Sequence, residues 1–109
     1  MFGKTVPEIR VADLARLRQE GDVAVLDIRE LWEREIARLE GSLNIPLSEL
    51  PASVGALPRD RPLVVLCHHG VRSAQAARWL RAQGFDNAVN LRGGIDEWAR
   101  HIDPAMASY

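Results

Sequence analysis

The only cysteine of the chain, Cys67, stands where a strand is predicted to end and a helix to follow. Residues 63–66 (Leu-Val-Val-Leu) form an apolar run typical of a buried strand, and Ser73 opens an Ala-rich segment typical of a helix. Backbone N–H groups at a helix N-terminus are unpaired and carry partial positive charge, and a tight loop before the helix can aim more of them at one point. We therefore expect Cys67 to exist substantially as a thiolate and to act as a nucleophile.

The loop from Cys67 to Arg72 carries residues that suit an anion-binding site. Arg72 supplies a cation that cannot lose its proton, and Gly70 permits a backbone conformation closed to other residues. Ser73 is predicted to cap the helix, and its hydroxyl can also hydrogen-bond the sulfur. The alternative, a small buried cysteine that ends a strand, fits this polar and cationic loop less well.

Two histidines and a valine complete the loop. His68 and His69 are expected to line the pocket mouth with Val71 and to tune its charge, since histidine titrates near neutrality. Neighbouring residues in a tight loop are expected to point apart, and one cysteine followed by two histidines lacks the ligand spacing of a zinc site. We therefore predict no metal site.

Length, charge and cysteine content indicate one globular domain. The 109 residues are expected to form a single domain, 1–109, with a core at about 9–102 and short extensions at both ends. The net charge of −1 gives no electrostatic footprint for nucleic acid or a membrane surface. One cysteine, no signal-like start and no apolar run of about 18 residues predict a cytoplasmic protein without a membrane segment.

Short strand patterns alternate with helical ones along the chain. This alternation predicts an α/β fold with three layers, in which helices cover both faces of a mostly parallel central sheet of about five strands. The carboxyl ends of the strands, and with them Cys67, are expected to form the functional edge. The predicted strands are 5–9, 23–28, 42–45, 63–66 and 88–91, and the predicted helices are 11–17, 31–39, 73–83 and 95–101, with a small helix starting near residue 48.

The three tryptophans fall on separate predicted helices. Trp32, Trp79 and Trp98 are expected to pack against the sheet, and Trp32 shares one helical face with Ile36 and Leu39. An exposed apolar surface around Leu31 and Trp32 would be the first place to look for a partner.

Several motifs together carry a resemblance to a known family. In order and spacing the chain resembles the rhodanese family of sulfurtransferases, in its single-domain form, over about residues 9–102. The motifs are Leu-Asp-Ile-Arg-Glu at 26–30, Gly-Ser-Leu-Asn-Ile-Pro-Leu at 41–47, Cys-His-His-Gly-Val-Arg-Ser at 67–73, Gly-Phe at 84–85, and Leu-Arg-Gly-Gly at 91–94 with Trp98.

The resemblance implies sulfur transfer by double displacement, without a metal or cofactor. Cys67 would take the outer sulfur of a small donor such as thiosulfate or a persulfide, and a thiol, cyanide or a sulfur-relay protein would accept it. Arg72 would hold the sulfonate end of thiosulfate and stabilise the leaving sulfite. For Asp27 and Arg29 it implies a role in supporting the loop and the substrate entrance. From its charge alone, Arg29 is expected to pair with Glu30 or Glu97 or to reach into the pocket.

Two alternatives remain open. Cysteine-dependent phosphatases and arsenate reductases also combine a cysteine, backbone donors and an arginine, but their loops resemble Cys-x5-Arg, whereas four residues separate Cys67 from Arg72. The shorter loop makes a tighter cradle that suits a sulfur atom better than a tetrahedral phosphate, and arsenate reductases usually need a second cysteine. The other alternative is a non-catalytic carrier that accepts a persulfide from a cysteine desulfurase and passes the sulfur on.

Overall fold

A five-stranded parallel sheet organises the computed structural model, which describes residues 6–109. The strand order is β1-β5-β4-β2-β3, so the strand that precedes Cys67 lies at the centre. This architecture confirms the predicted α/β class; Thr5, the first residue of the first predicted strand, lies outside the described residues. The strands are β1 Glu8–Ile9, β2 Ala24–Asp27, β3 Leu43–Asn44, β4 Leu63–Leu66 and β5 Ala88–Leu91; the helices are α1 Val11–Glu20, α2 Leu31–Ile36, α3 Leu50–Ser53, α4 Val71–Ala82 and α5 Gly94–His101, with 3₁₀ turns at Leu47–Glu49 and Val54–Ala56.

Helices cover both faces of the sheet. Side chains along β4 alternate between the two faces, so they contribute to two apolar clusters. Leu63, Val65 and Cys67 pack into one apolar cluster with the buried face of α4. Val64 and Leu66 pack into a second cluster with the buried faces of α1 and α5. The Cys67 side chain therefore lies on the α4 side of the sheet. No helix within residues 6–109 is long and apolar enough to cross a membrane.

Strand register brings the chemistry to one edge. Asp27, the last residue of β2, is paired with Leu66, the last residue of β4, and with Asn44 of β3. The segments that follow β2 and β4 therefore leave the sheet side by side. As a result, residues 28–30 and the loop that begins at Cys67 become neighbours.

Helix α4 begins two residues earlier than predicted. Gly70, at φ +101°, occupies the N-cap position, so Val71 and Arg72 already belong to the first helical turn. The prediction that Ser73 caps this helix was wrong, because the glycine makes the turn in a left-handed conformation that few other residues adopt. The irregular loop is therefore the four residues 67–70, and Ser73 lies buried inside the helix.

Helix α2 is shorter than predicted and buries a different face. It ends at Ile36 because Ala37 is extended, with its carbonyl oxygen turned to accept from the Arg29 side chain (2.7 Å). Its buried residue is Glu33, and this orientation leaves the neighbouring Trp32 59% exposed. The prediction that Trp32 packs against the sheet was therefore wrong. Of the other two tryptophans, Trp98 is buried and Trp79 is partly buried against the α4 side of the core.

Candidate active site

The sulfur of Cys67 lies at the focus of three hydrogen-bond donors. It accepts from the backbone N–H of Gly70 (3.1 Å), the backbone N–H of Ser73 (3.3 Å) and the Ser73 hydroxyl (3.2 Å). The Ser73 N–H is one of the first-turn donors that a helix leaves unpaired. Cys67 itself is buried. This arrangement places a sulfur atom in a small cradle of positive partial charge.

Helix α5 holds the carbonyl groups of the same loop away from the sulfur. The N–H groups of Ile95 and Asp96 donate to the carbonyl oxygens of Cys67 (2.9 Å) and His68 (3.0 Å). Gly94, at φ +60°, makes this approach possible, because a Cβ atom there would run into both carbonyl oxygens. The loop therefore points its carbonyls at α5 and leaves its N–H groups for the sulfur.

Asn90 of β5 orients both Ser73 and Gly70. Its side-chain oxygen lies 2.6 Å from the Ser73 hydroxyl, and its amide nitrogen donates to the Gly70 carbonyl (3.1 Å) and to Glu8 (3.3 Å). A hydroxyl has one proton, so the Ser73 hydroxyl can donate either to Asn90 or to Cys67 at one time. The buried amide thus fixes the position of the hydroxyl while leaving its rotation free.

Arg72 is joined to Glu33 of α2. Its two terminal nitrogens donate to the two carboxylate oxygens at 2.8 and 3.0 Å, and the carboxylate is buried. Hydrogen bonds from Arg72 lower the pKa of Glu33 to about 2, although burial alone would raise it. The same pairing raises the pKa of Arg72 further above its usual range. Glu33 is therefore a carboxylate at any physiological pH.

Asp27 and Arg29 form a fully buried ion pair next to this site. Arg29 donates through its Nε and Nη2 atoms to both carboxylate oxygens of Asp27 (3.0 and 2.8 Å), and Arg34 adds a third side-chain contact (3.3 Å). The predicted pairing of Arg29 with Glu30 or Glu97 was wrong. The guanidinium points inward, where a fully desolvated cation requires a bidentate carboxylate partner.

The two histidines stack instead of pointing apart as expected. Their ring centroids are 4.0 Å apart, and on the other side His68 stacks on the ring of Tyr109 at 3.8 Å. Burial, together with the neighbouring His69, lowers the pKa of His68, so this residue adds no positive charge to the site at neutral pH.

Ligand atoms of His68, His69 and Asp96 lie within 4.8 Å of one another. A metal lies in the plane of each imidazole that binds it, at about 2.0–2.1 Å from the nitrogen. The planes of two stacked rings inclined by 29° do not meet that close to the nitrogens. Asp96 also accepts from Arg100 at 3.1 Å. This geometry therefore gives no reason to propose a metal.

Comparison with known proteins decides the family. The rhodanese-like domain family matches residues 10–101. The chain belongs to the rhodanese-like family. A sulfurtransferase from Allochromatium vinosum is 39% identical over 92 residues, which cover 84% of this chain and 86% of the relative. The thiosulfate sulfurtransferase GlpE of Shewanella oneidensis is 34% identical over 90 residues, covering 83% and 89%. The crystal structure of a rhodanese-related protein from Thermoplasma volcanium superposes with a TM-score of 0.79 at 38% identity, covering 88% of this chain and 93% of that one.

Membership of the rhodanese-like family confirms the resemblance read from the motifs and supports a rhodanese-type transferase. Of the predicted site residues, Gly70 and Ser73 contact Cys67 directly in the structure. Val71 points outward beside them and is exposed. Arg72 and Glu33 form an ion pair at the edge of the Cys67 loop, which we call the rim. Arg29, paired with Asp27, contacts this rim by donating to the Glu33 carbonyl oxygen (3.4 Å).

Three residues of this site escaped the sequence analysis. Glu33 was hidden in a helix whose apolar spacing suggested another buried face. In the structure its carboxylate accepts from the backbone N–H of the N-cap residue Glu30 (3.0 Å), as the third residue of a capping box does. Asn90 could have been noticed as the one polar residue in an apolar strand. Nothing local marks Tyr109, whose contacts all come from distant parts of the chain.

Proposed function

We propose that the protein is a sulfurtransferase that moves sulfane sulfur from a donor, such as thiosulfate or a persulfide, through a persulfide on Cys67 to cyanide or a thiol. The observation that carries this proposal is the cradle of three donors around the Cys67 sulfur. Such a cradle stabilises a negative charge on sulfur before and after transfer.

In the first step the Cys67 thiolate attacks the outer sulfur of the donor. A bond forms between the two sulfurs, and the bond from the outer sulfur to the rest of the donor breaks. With thiosulfate, the electron pair of that bond leaves with sulfite, and the transferred sulfur stays on Cys67 as an anionic persulfide. The Cys67 sulfur is the nucleophile, and the outer sulfur of the donor is the atom transferred. The reaction as proposed therefore requires no metal or cofactor.

The loop serves the persulfide in the same way as the thiolate. The N–H groups of Gly70 and Ser73 stay in place, and the Ser73 hydroxyl donates to the charged sulfur instead of to Asn90. Arg72 lies at the rim, where its remaining N–H donors can meet an anionic donor or leaving group. In the second step an acceptor thiolate or cyanide attacks the outer persulfide sulfur, and the electron pair returns to Cys67.

This chemistry needs Cys67 as a free thiol, and a chain with one cysteine cannot close a disulfide within itself. We therefore place the reaction in a reducing compartment such as the cytoplasm. The partners proposed are a small sulfur donor, a thiol or cyanide acceptor, and a sulfur-relay protein where the acceptor thiol belongs to a protein.

Intact-protein mass spectrometry tests the proposal directly. The protein is incubated with thiosulfate or with glutathione persulfide, and cyanide is added afterwards. We expect a gain equal to one sulfur atom that cyanide removes and that the Cys67→Ser variant never shows, while circular dichroism shows that variant to be folded. Sulfur gained only from a cysteine desulfurase would favour the carrier alternative. No gain from any donor would refute the proposal.

A further inference from the structure

Arg72 is a tethered cation in this site. Its Nη1 and Nη2 atoms donate to both oxygens of Glu33, which is buried beneath it. Glu33 also accepts from the Tyr109 hydroxyl (2.9 Å) at one carboxylate oxygen and from the backbone N–H of Glu30 (3.0 Å) at the other. Every lone-pair direction of the carboxylate that faces the protein is therefore occupied, and the negative charge stays beside the guanidinium.

Tyr109 closes this arrangement from the outside. Its hydroxyl accepts from Arg29 (2.8 Å) while it donates to Glu33, and its ring stacks nearly parallel on His68, at 7°. Glu33 cannot swing away from Arg72 without breaking the contacts of Tyr109. We call Glu33 and Tyr109 together the rim clamp.

The rim clamp makes the strength with which the site binds a donor depend less favourably on the donor's negative charge. Thiosulfate is a dianion, whereas an organic persulfide carries at most one negative charge at its reacting end. The attraction of Arg72 for a donor and the repulsion by Glu33 both scale with the donor's charge, so the presence of Glu33 weakens dianion binding about twice as much as monoanion binding. His68, half-buried between two rings and with its pKa lowered, supplies no compensating charge at neutral pH.

The surface next to the rim clamp is apolar. Leu31 is 63% exposed, Trp32 59% and Val71 69%. The Trp32 ring lies 6.0 Å from that of Tyr109, and Val71 directly precedes Arg72 in the chain. The carbon body of an organic donor can cover such side chains, whereas a sulfonate group gains nothing from them.

We infer that Glu33, held by Tyr109, is a specificity-determining residue that turns the site from thiosulfate toward organic persulfides, R–S–SH. The inference rests on the proposed function and deepens it. In the transfer the Cys67 thiolate attacks the terminal sulfur, a new S–S bond forms to Cys67, and the bond to R–S breaks with its electron pair. The products are Cys67–S–SH and R–S⁻, so the proton stays with the transferred sulfur.

The test compares kcat/KM for thiosulfate with kcat/KM for glutathione persulfide, with the same acceptor. The wild type is expected to favour the persulfide. Glu33→Gln removes the charge and is expected to raise the thiosulfate-to-persulfide ratio on the order of tenfold, mainly through a lower KM for thiosulfate. Glu40→Gln, at an exposed carboxylate paired with Arg38, is the matched control and should leave the ratio unchanged. A persulfide carried on a protein cysteine, used as a third donor, distinguishes a protein source from a small thiol.

A second variant guards against a folding defect in Glu33→Gln. Tyr109→Phe keeps the ring on His68 but removes the hydroxyl that fixes Glu33, and it should shift the ratio in the same direction by a smaller factor. A wild type that favours thiosulfate, or a ratio that stays the same in both folded variants, would overturn the inference while leaving sulfur transfer intact. Failure of every donor to load Cys67 would instead remove the proposed function and the inference with it.

Discussion

Glu33 and Arg72 are 39 residues apart in the chain, yet their side chains form a two-bond ion pair at the rim of the Cys67 loop. The pair joins α2, which follows one central strand, to the first turn of α4, which follows the next. The buried carboxylate of Glu33 on α2 thereby offsets part of the positive charge that Arg72 on α4 presents to a donor. The register between β2 and β4 places the segments that follow these strands side by side, and this allows the ion pair to form.

Replacing Glu33 with glutamine should lower stability in a pH-dependent way. The pKa of Glu33 is about 2 in the fold, against an ordinary value of 4.5. Its stabilising effect is therefore complete above about pH 4.5 and disappears as the pH falls toward 2. We expect Glu33→Gln to lose roughly 2 kcal/mol of unfolding free energy at neutral pH, and this difference should shrink below about pH 4.5.

Urea unfolding of both proteins across this pH range measures the difference. The exposed control Glu40→Gln should be nearly neutral at every pH. A Glu33→Gln deficit that stays the same from neutral pH down to about pH 2 would show that the charge of Glu33, and with it the pair with Arg72, contributes nothing.

Removing the Ser73 hydroxyl should slow sulfur loading without unfolding the protein. Ser73→Ala leaves both backbone donors to the Cys67 sulfur but takes away the third, so persulfide formation should slow by roughly tenfold to a hundredfold. Quenched-flow mixing followed by mass spectrometry gives the rate. The matched control is Ser48→Ala, an exposed serine outside the loop for which the structure records no contact with Cys67, and it should load at the wild-type rate. Equal rates in the two variants would mean that the backbone N–H groups suffice.

The fold and the central cysteine were predictable because their signals are local. An apolar four-residue strand, a glycine-containing loop and an Ala-rich helix lie together around Cys67, and strand–helix alternation implies a parallel sheet. The end of α4 was predictable for the same reason, since Gly84 adopts the left-handed conformation that stops a helix. Its start was not, because Gly70 and Ser73 are both good N-cap residues and only the turn geometry selects Gly70.

The rest of the site depends on contacts between distant segments. Composition favours an exposed Arg29, and nothing near it in sequence shows that the fold encloses it with Asp27. The contact of Tyr109 with Arg29 spans 80 residues. The apolar spacing in α2 suggested a buried Trp32, but satisfying Glu33 beside Arg72 determined which face turns inward. An ion-paired network outweighed the apolar pattern there.

Arg29 should be among the residues least tolerant of substitution. Arg29→Met keeps much of the side-chain volume but leaves the fully buried Asp27 with only Arg34 as a charged partner. Breaking a buried pair in this way typically costs about 3–5 kcal/mol, a large part of the stability of a small domain. Denaturant unfolding measures the loss. Arg16→Met, which breaks an exposed pair with Asp13, is the control and should change stability by less than about 1 kcal/mol. Similar small losses in the two variants would mean that Asp27 is satisfied without Arg29.

A methyl group at Gly94 should damage the sulfur site from the far side of the loop. Gly94 has a φ of +60°, and a Cβ atom there would collide with the carbonyl oxygens of Cys67 and His68. Gly94→Ala should therefore destabilise the protein by about 1–3 kcal/mol and slow sulfur loading, because the displaced loop no longer aims the Gly70 N–H at the sulfur.

The control is Gly55→Ala, where a Cβ meets no atom within 4 Å and φ is not positive. That variant should be neutral or slightly stabilising by up to about 1 kcal/mol. Thermal unfolding and the rate of persulfide formation, measured on both variants, check the two halves of this prediction. Gly94→Ala with wild-type loading would show that α5 does not position the loop.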